Sequence, residues 1–120
     1  MKPEIKAAWL AALRSGEYRQ TTGTLRDSAG AFCCLGVLCD LAAKQGIGQW
    51  DNPLGDTATF IVDDMRTIEY LPVPVQEWAG VERPNPCAAN APLASWNDGG
   101  NGVARPHSFA EIADLIEAEL

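Results

Sequence analysis

The chain has no apolar run approaching the roughly 20 residues that a membrane-spanning helix needs. Its start, Met1-Lys2-Pro3-Glu4-Ile5-Lys6, lacks the apolar core and small-residue cleavage site of a secretory signal. The expected setting is the cytoplasm, with no membrane partner. Basic residues are scarce: nine Lys and Arg stand against sixteen Asp and Glu, for a net charge of −7. That is the wrong sign for affinity built on phosphate neutralisation, so a nucleic acid polymer is excluded as the main ligand. There is one histidine and no C-x-x-C pair, so the spacings that close a zinc site are missing and no metal is expected. Walker, G-x-G-x-x-G and G-x-S-x-G patterns are absent too, and no cofactor is expected.

What is present suits one globular domain over residues 1–120. Hydrophobic residues make up 47% and charged residues 21% of the 120, the composition of a chain that buries a single core. The most apolar stretch, Phe32-Cys33-Cys34-Leu35-Gly36-Val37-Leu38-Cys39-Asp40-Leu41, holds three of the four cysteines. In a reducing compartment these read as free thiols. Charge is uneven: residues 1–26 carry five basic against two acidic side chains, and residues 27–120 carry four against fourteen. A basic N-terminal face of this kind can steer an acidic partner or a small anion.

Apolar residues at Ile5, Ala8, Trp9, Ala12 and Leu13, with Pro3 before them and Gly16 after, predict a helix over 3–15. The β-prone pieces Tyr18–Thr21, Thr24–Arg26 and Ala31–Cys33, broken by turn residues, predict two or three short antiparallel strands. Residues 34–45 predict a helix apolar nearly all round, hence buried, with Gly46 as its stop. Gly36 inside it costs about 1 kcal/mol against alanine, which points to close backbone packing. Residues 47–58, with Gly48, Pro53 and Gly55, read as a loop. Thr59–Val62 and Thr67–Tyr70 read as strands around Asp63-Asp64, and Leu71–Gly80 as a short helix burying Val75 and Trp78. Residues 81–91 look irregular, and a helical turn at Leu93–Trp96 is halted by Asn97 to Gly102. Ser108 and Glu111 make a capping box for a last helix over 109–119. The fold class is therefore α+β: a central buried helix, a short antiparallel sheet, and packed N- and C-terminal helices.

Two kinds of chemistry have candidates. Cys33 and Cys34 stand at a strand-to-helix junction, where amide dipoles favour the thiolate. Cys34-Leu35-Gly36-Val37 is similar to the helix start that carries the nucleophile of NlpC-type, papain-like cell-wall endopeptidases. That resemblance implies a cysteine hydrolase with His107 as base, although His107 precedes a helix and the family's histidine sits in a strand. The other chemistry is binding. Trp50 and Trp96 are aromatics near loops, suited to walling a pocket around a planar ligand. Asn97, Asp98, Arg105 and His107 supply polar groups beside Trp96. Asp63-Asp64 and Asn97-Asp98 also have the make-up of acid and base pairs or divalent-ion ligands, and of plain turn formers.

The order of blocks along the chain is specific. Ala-Ala-Trp-Leu-Ala-Ala-Leu-Arg-Ser-Gly-Glu-Tyr leads to Phe-Cys-Cys-Leu-Gly-Val-Leu-Cys-Asp-Leu and Leu-Pro-x-x-Val-x-x-Trp-Ala-Gly. Trp-Asn-Asp-Gly and Ser-Phe-Ala-Glu-Ile-Ala-Asp-Leu-Ile-Glu follow. The arrangement resembles a group of small phage and prophage proteins. The resemblance implies an accessory protein in the bacterial host cytoplasm that acts by binding: counter-defence by sequestering a nucleotide-like small molecule or by inhibiting a host protein. The cysteine hydrolase is the alternative, and a structural role in a homo-oligomer is a third.

Overall fold

The structure is a computed structural model that describes residues 1–52 and 55–120; Pro53, counted above in a loop, lies outside the described residues. Helix α2 (Cys34–Lys44) is the axis of the fold. Cys34, Leu35, Val37, Leu38, Cys39 and Ala42 are each fully buried, as a helix apolar all round must be. It stops as expected: Gly46 takes φ +83, Gly46 N donates to Ala43 O, and Ile47 N donates to Ala42 O, a Schellman closure. Gly36 lies hard against another stretch of backbone. A Cβ there would lie 1.8 Å from Leu25 O, so only glycine allows the segment carrying Leu25 to cross the helix.

Helix α1 (Pro3–Arg14) packs on α2, and helix α5 (Phe109–Glu119) packs on α1 and on the helix over residues 93–98. Trp9 is fully buried and its indole N–H donates to Cys34 O at 3.0 Å, pinning α1 to the first turn of α2. Arg14 reaches Asp114 at 2.8 Å and Glu117 at 3.3 Å on α5. The capping box of α5 is complete: Ser108 Oγ accepts from Glu111 N, and Glu111 Oε1 accepts from Ser108 N. Phe109, Ile112, Ala113 and Ile116 form its buried face.

The sheet is built around the strand expected at Thr59–Val62, but its partners are not the expected ones. Strands β1 (Gln49–Asp51), β2 (Thr59–Val62) and β3 (Met65–Thr67) form an antiparallel sheet in that order. β1 falls inside the stretch expected to be a loop, and β3 ends at Thr67 instead of running to Tyr70. Asp63 and Asp64 take φ 48° and 67° and make the two-residue turn between β2 and β3, the left-handed pair that a tight hairpin requires. Residues 18–33 form no ladder. They are held by isolated bridges, Gln20 with Phe32, Arg26 with Phe32 and Asp27 with Thr57, because Gly23 and Gly30, both at positive φ, turn the chain before a second pair can form.

Helix α3 (Val73–Ala79) ends on Gly80 at φ +75. It buries Val75 and Gln76 while Trp78 stays half-exposed, and the Gln76 amide donates to Leu71 O at 2.9 Å. Strands β4 (Cys87–Ala88) and β5 (Ala91–Pro92) form a minimal hairpin in the region expected to be irregular. Helix α4 (Leu93–Asp98) runs two residues past Trp96 and takes in Asn97 and Asp98. Among the described residues no helix is long and apolar enough to cross a membrane.

Candidate functional site

Asn97 is fully buried and all four of its hydrogen-bonding positions are used. Its Oδ1 accepts from Gln20 Nε2 at 2.9 Å and from Cys34 N at 3.1 Å. Its Nδ2 donates to Thr21 O and to Asp98 Oδ1, each at 2.8 Å. One amide thus ties the 18–33 segment to the N-terminus of α2 and fixes the carboxylate of its neighbour.

That carboxylate faces a depression of about 250 Å³ between the Gly23-Thr24 turn, Tyr70 and α4, with Cys33 at its floor and Glu69 beside Tyr70. A second hollow of about 120 Å³ shares Tyr70, Ala94 and Asp98 and continues it toward Asn85 and Asn101. Tyr70 is 44% exposed and gives the depression an aromatic edge. Ile68 O, just before Glu69 and Tyr70, accepts from Leu25 N and Thr24 Oγ1, which holds that segment to the turn opposite. No basic side chain lines either hollow, and among the described residues neither Asp98 nor Glu69 has an ion-pair partner.

The thiols do not behave as the junction suggests. Cys33 caps α2, its Sγ accepting from Gly36 N at 3.4 Å, yet burial pushes its pKa up to about 11. Burial likewise holds Cys34 well above its ordinary value, and its Sγ donates to Leu93 O at 3.7 Å. Desolvation of the anion outweighs the helix dipole at both. His107 is not joined to either sulfur. Its ring packs edge-on against Trp96 with centroids 4.9 Å apart, and its Nδ1 lies 2.9 Å from Arg105 O, a carbonyl that can only accept. The expected dyad of Cys33 or Cys34 with His107 is therefore not formed.

The two tryptophans do not wall one pocket. Trp96 donates from its indole to Ala88 O at 2.7 Å. Trp50 donates to Asp40 at 3.0 Å and stacks edge-on between Phe32 and Phe60. Neither ring lines one of the four main cavities. Arg105 is committed to Glu111, with Nη2 to Oε2 at 2.9 Å. That guanidinium, together with the Ser108 amide, holds the Glu111 carboxyl down to about 2. The largest of these four, about 720 Å³, is a shallow trough beside Gly48, Asp63, Glu77 and Trp78 and holds none of the predicted site residues. Among the described residues no group of three or more His, Cys, Asp or Glu is placed to hold a metal ion.

Of the predicted residues, the structure brings only Cys33 and Asp98 to one depression, with Asn97 behind it. Thr24, Glu69 and Tyr70 were not expected there. Thr67–Tyr70 as a strand would send Glu69 and Tyr70 to opposite faces, and the only signal to the contrary is the Leu71-Pro72 pair that ends extended pairing early. No curated protein and no solved structure matches the chain. Residues 1–120 match the model of the family described as Domain of unknown function (DUF8296), and the chain belongs to that family.

Proposed function

We propose that this protein acts by binding, and that it holds a basic side chain of a protein partner in the depression at Tyr70 and Asp98. The observation that carries this is a pair of carboxylates, Asp98 and Glu69, with no ion-pair partner among the described residues, facing one hollow beside the exposed Tyr70. Two negative charges with an aromatic face suit an arginine or lysine head, by ion pairing and by cation–π contact. The same charges repel phosphates, so the site favours a protein over a nucleotide as its ligand. Asn97 pre-positions Asp98, which lowers the ordering cost of binding. The resemblance to small phage and prophage proteins supports reading this binding as that of an accessory protein that engages a host protein in counter-defence.

The test uses N-acetyl-arginine amide as the probe, with N-acetyl-glutamine amide as the neutral control, followed by amide shifts in a ¹⁵N spectrum. Saturable shifts are expected at residues 69, 70 and 98 with the arginine compound alone. Asp98→Asn keeps an oxygen to accept from Asn97 and removes the charge, and it should weaken binding about tenfold, the equivalent of 1.4 kcal/mol. Equal response to both compounds, or unchanged affinity in the variant, refutes the reading.

A further inference from the structure

We infer that Arg19 and Arg26 together form a binding site for a phosphoryl group, on the 18–33 segment and separate from the acidic depression. Arg26 is held in place by rings: its guanidinium carbon lies 5.4 Å from the Phe32 centroid and 5.5 Å from that of Trp50. Its backbone is fixed as well, Arg26 O accepting from Ala58 N at 2.9 Å. Among the described residues its guanidinium has no ion pair, and its Nε is buried with no hydrogen-bond partner. A desolvated cation left without a counter-charge is costly, and an anion bound at the Nη2 of the same guanidinium would offset that cost.

Arg19 completes the geometry. Its Nη2 donates to Ala29 O, which turns the guanidinium toward Gly30. The Nη2 atoms of Arg19 and Arg26 both lie within 4 Å of the point where a Cβ on Gly30 would stand, and Gly30, at φ +84, leaves that point empty. Two planar forks thus converge on a gap without a side chain. The carboxylate nearby is that of Asp27, whose Oδ1 is taken by the amides of Ala29 and Ala31 at 3.0 and 2.9 Å. Two guanidiniums against one engaged carboxylate leave positive charge in excess, on the part of the chain that is basic overall. A dianionic phosphoryl group with several acceptor oxygens matches two forks better than a singly charged carboxylate does. Free phosphate and a phosphate monoester share this chemistry.

The experiment titrates the intact protein with inorganic phosphate at constant ionic strength, in parallel with a nucleoside monophosphate, and follows the Gly30 amide and the Arg26 Nε–H signal. Saturable shifts of both signals with either compound are expected, and the tighter of the two identifies the source of the group. Arg19→Gln alters an exposed side chain outside the core and should weaken binding at least tenfold, with the spectrum otherwise unchanged. Arg26→Gln should abolish the saturation. A linear drift that sodium chloride reproduces, or unchanged affinity in Arg19→Gln, overturns the inference.

Discussion

Replacing Gly36 with alanine sets helix preference against packing, and the two predict opposite signs. In an isolated helix the substitution would stabilise by about 1 kcal/mol. Here the new methyl group would stand 1.8 Å from Leu25 O, 2.7 Å from Leu25 C and 3.1 Å from Leu25 Cα, so a backbone and not a flexible side chain must retreat. Leu25 is fully buried and has little room to do so. Its carbonyl accepts from Cys33 N at 3.1 Å and its amide donates to Ile68 O at 2.7 Å. Overpacking costs up to about 3 kcal/mol where side chains can adjust, and losing the Cys33 N bond adds about 1 kcal/mol. After the helix gain is subtracted, a net loss of about 3 kcal/mol is expected. Urea unfolding read by far-ultraviolet circular dichroism should show the midpoint falling by at least about 1 M at unchanged slope. A midpoint equal to or above that of the parent protein would refute the claim that α2 and the Leu25 strand of coil are in backbone contact.

Asn97→Ala strips partners from Cys34 N and Thr21 O and should cost about 2–4 kcal/mol in the same assay; a loss within 0.5 kcal/mol, the size usual for surface changes, would show that these bonds are not formed. Iodoacetamide at pH 7 should modify the exposed Cys87 and leave the buried Cys33, Cys34 and Cys39 untouched until the protein unfolds, since a thiol at about 11 holds only about one part in ten thousand as thiolate. Because folding raises the Cys33 pKa from 9.0 to about 11, the protonated thiol is favoured in the native state. Its contribution to stability is whole below about pH 9 and is lost as pH rises toward about 11. Alkaline unfolding that Cys33→Ser leaves unchanged would contradict this.

The helices were legible because their signals are local. The 3.6-residue pattern at Ile5 to Leu13, the Ser108–Glu111 pair and the glycine after α2 each act within one or two turns. The strands were less so. Gln49-Trp50-Asp51 carries one apolar side chain and becomes a strand only because β2 offers it a partner. Tyr18 to Cys33 has the composition of strands but meets its neighbours one residue at a time. Asn97 and Asp98 read as loop residues, since polar side chains at a helix end usually face water. Asn97 instead finds partners from residues 20, 21 and 34, which no window of sequence contains. The raised pKa of Cys33 and Cys34 is hidden from the sequence for a related reason: helix position is visible there, whereas the depth of burial that outweighs it depends on what packs above.

The Asn97 amide also bears on the order in which the chain can assemble. Its bonds to Gln20, Thr21 and Cys34 span separations of 77, 76 and 63 residues, so they close some of the longest loops in the molecule. Such closures follow local structure, because the entropy of a long loop must be offset by contacts already formed. Helices α1 and α2 can form as soon as they are synthesised, while the coil from residue 18 to 33, which lacks a strand partner of its own, must wait for residue 97 to arrive. During synthesis that coil is the last part of the N-terminal third to settle. Hydrogen exchange on stalled nascent chains should find the Cys34 amide, which donates to Asn97 Oδ1, unprotected until α4 has left the ribosome.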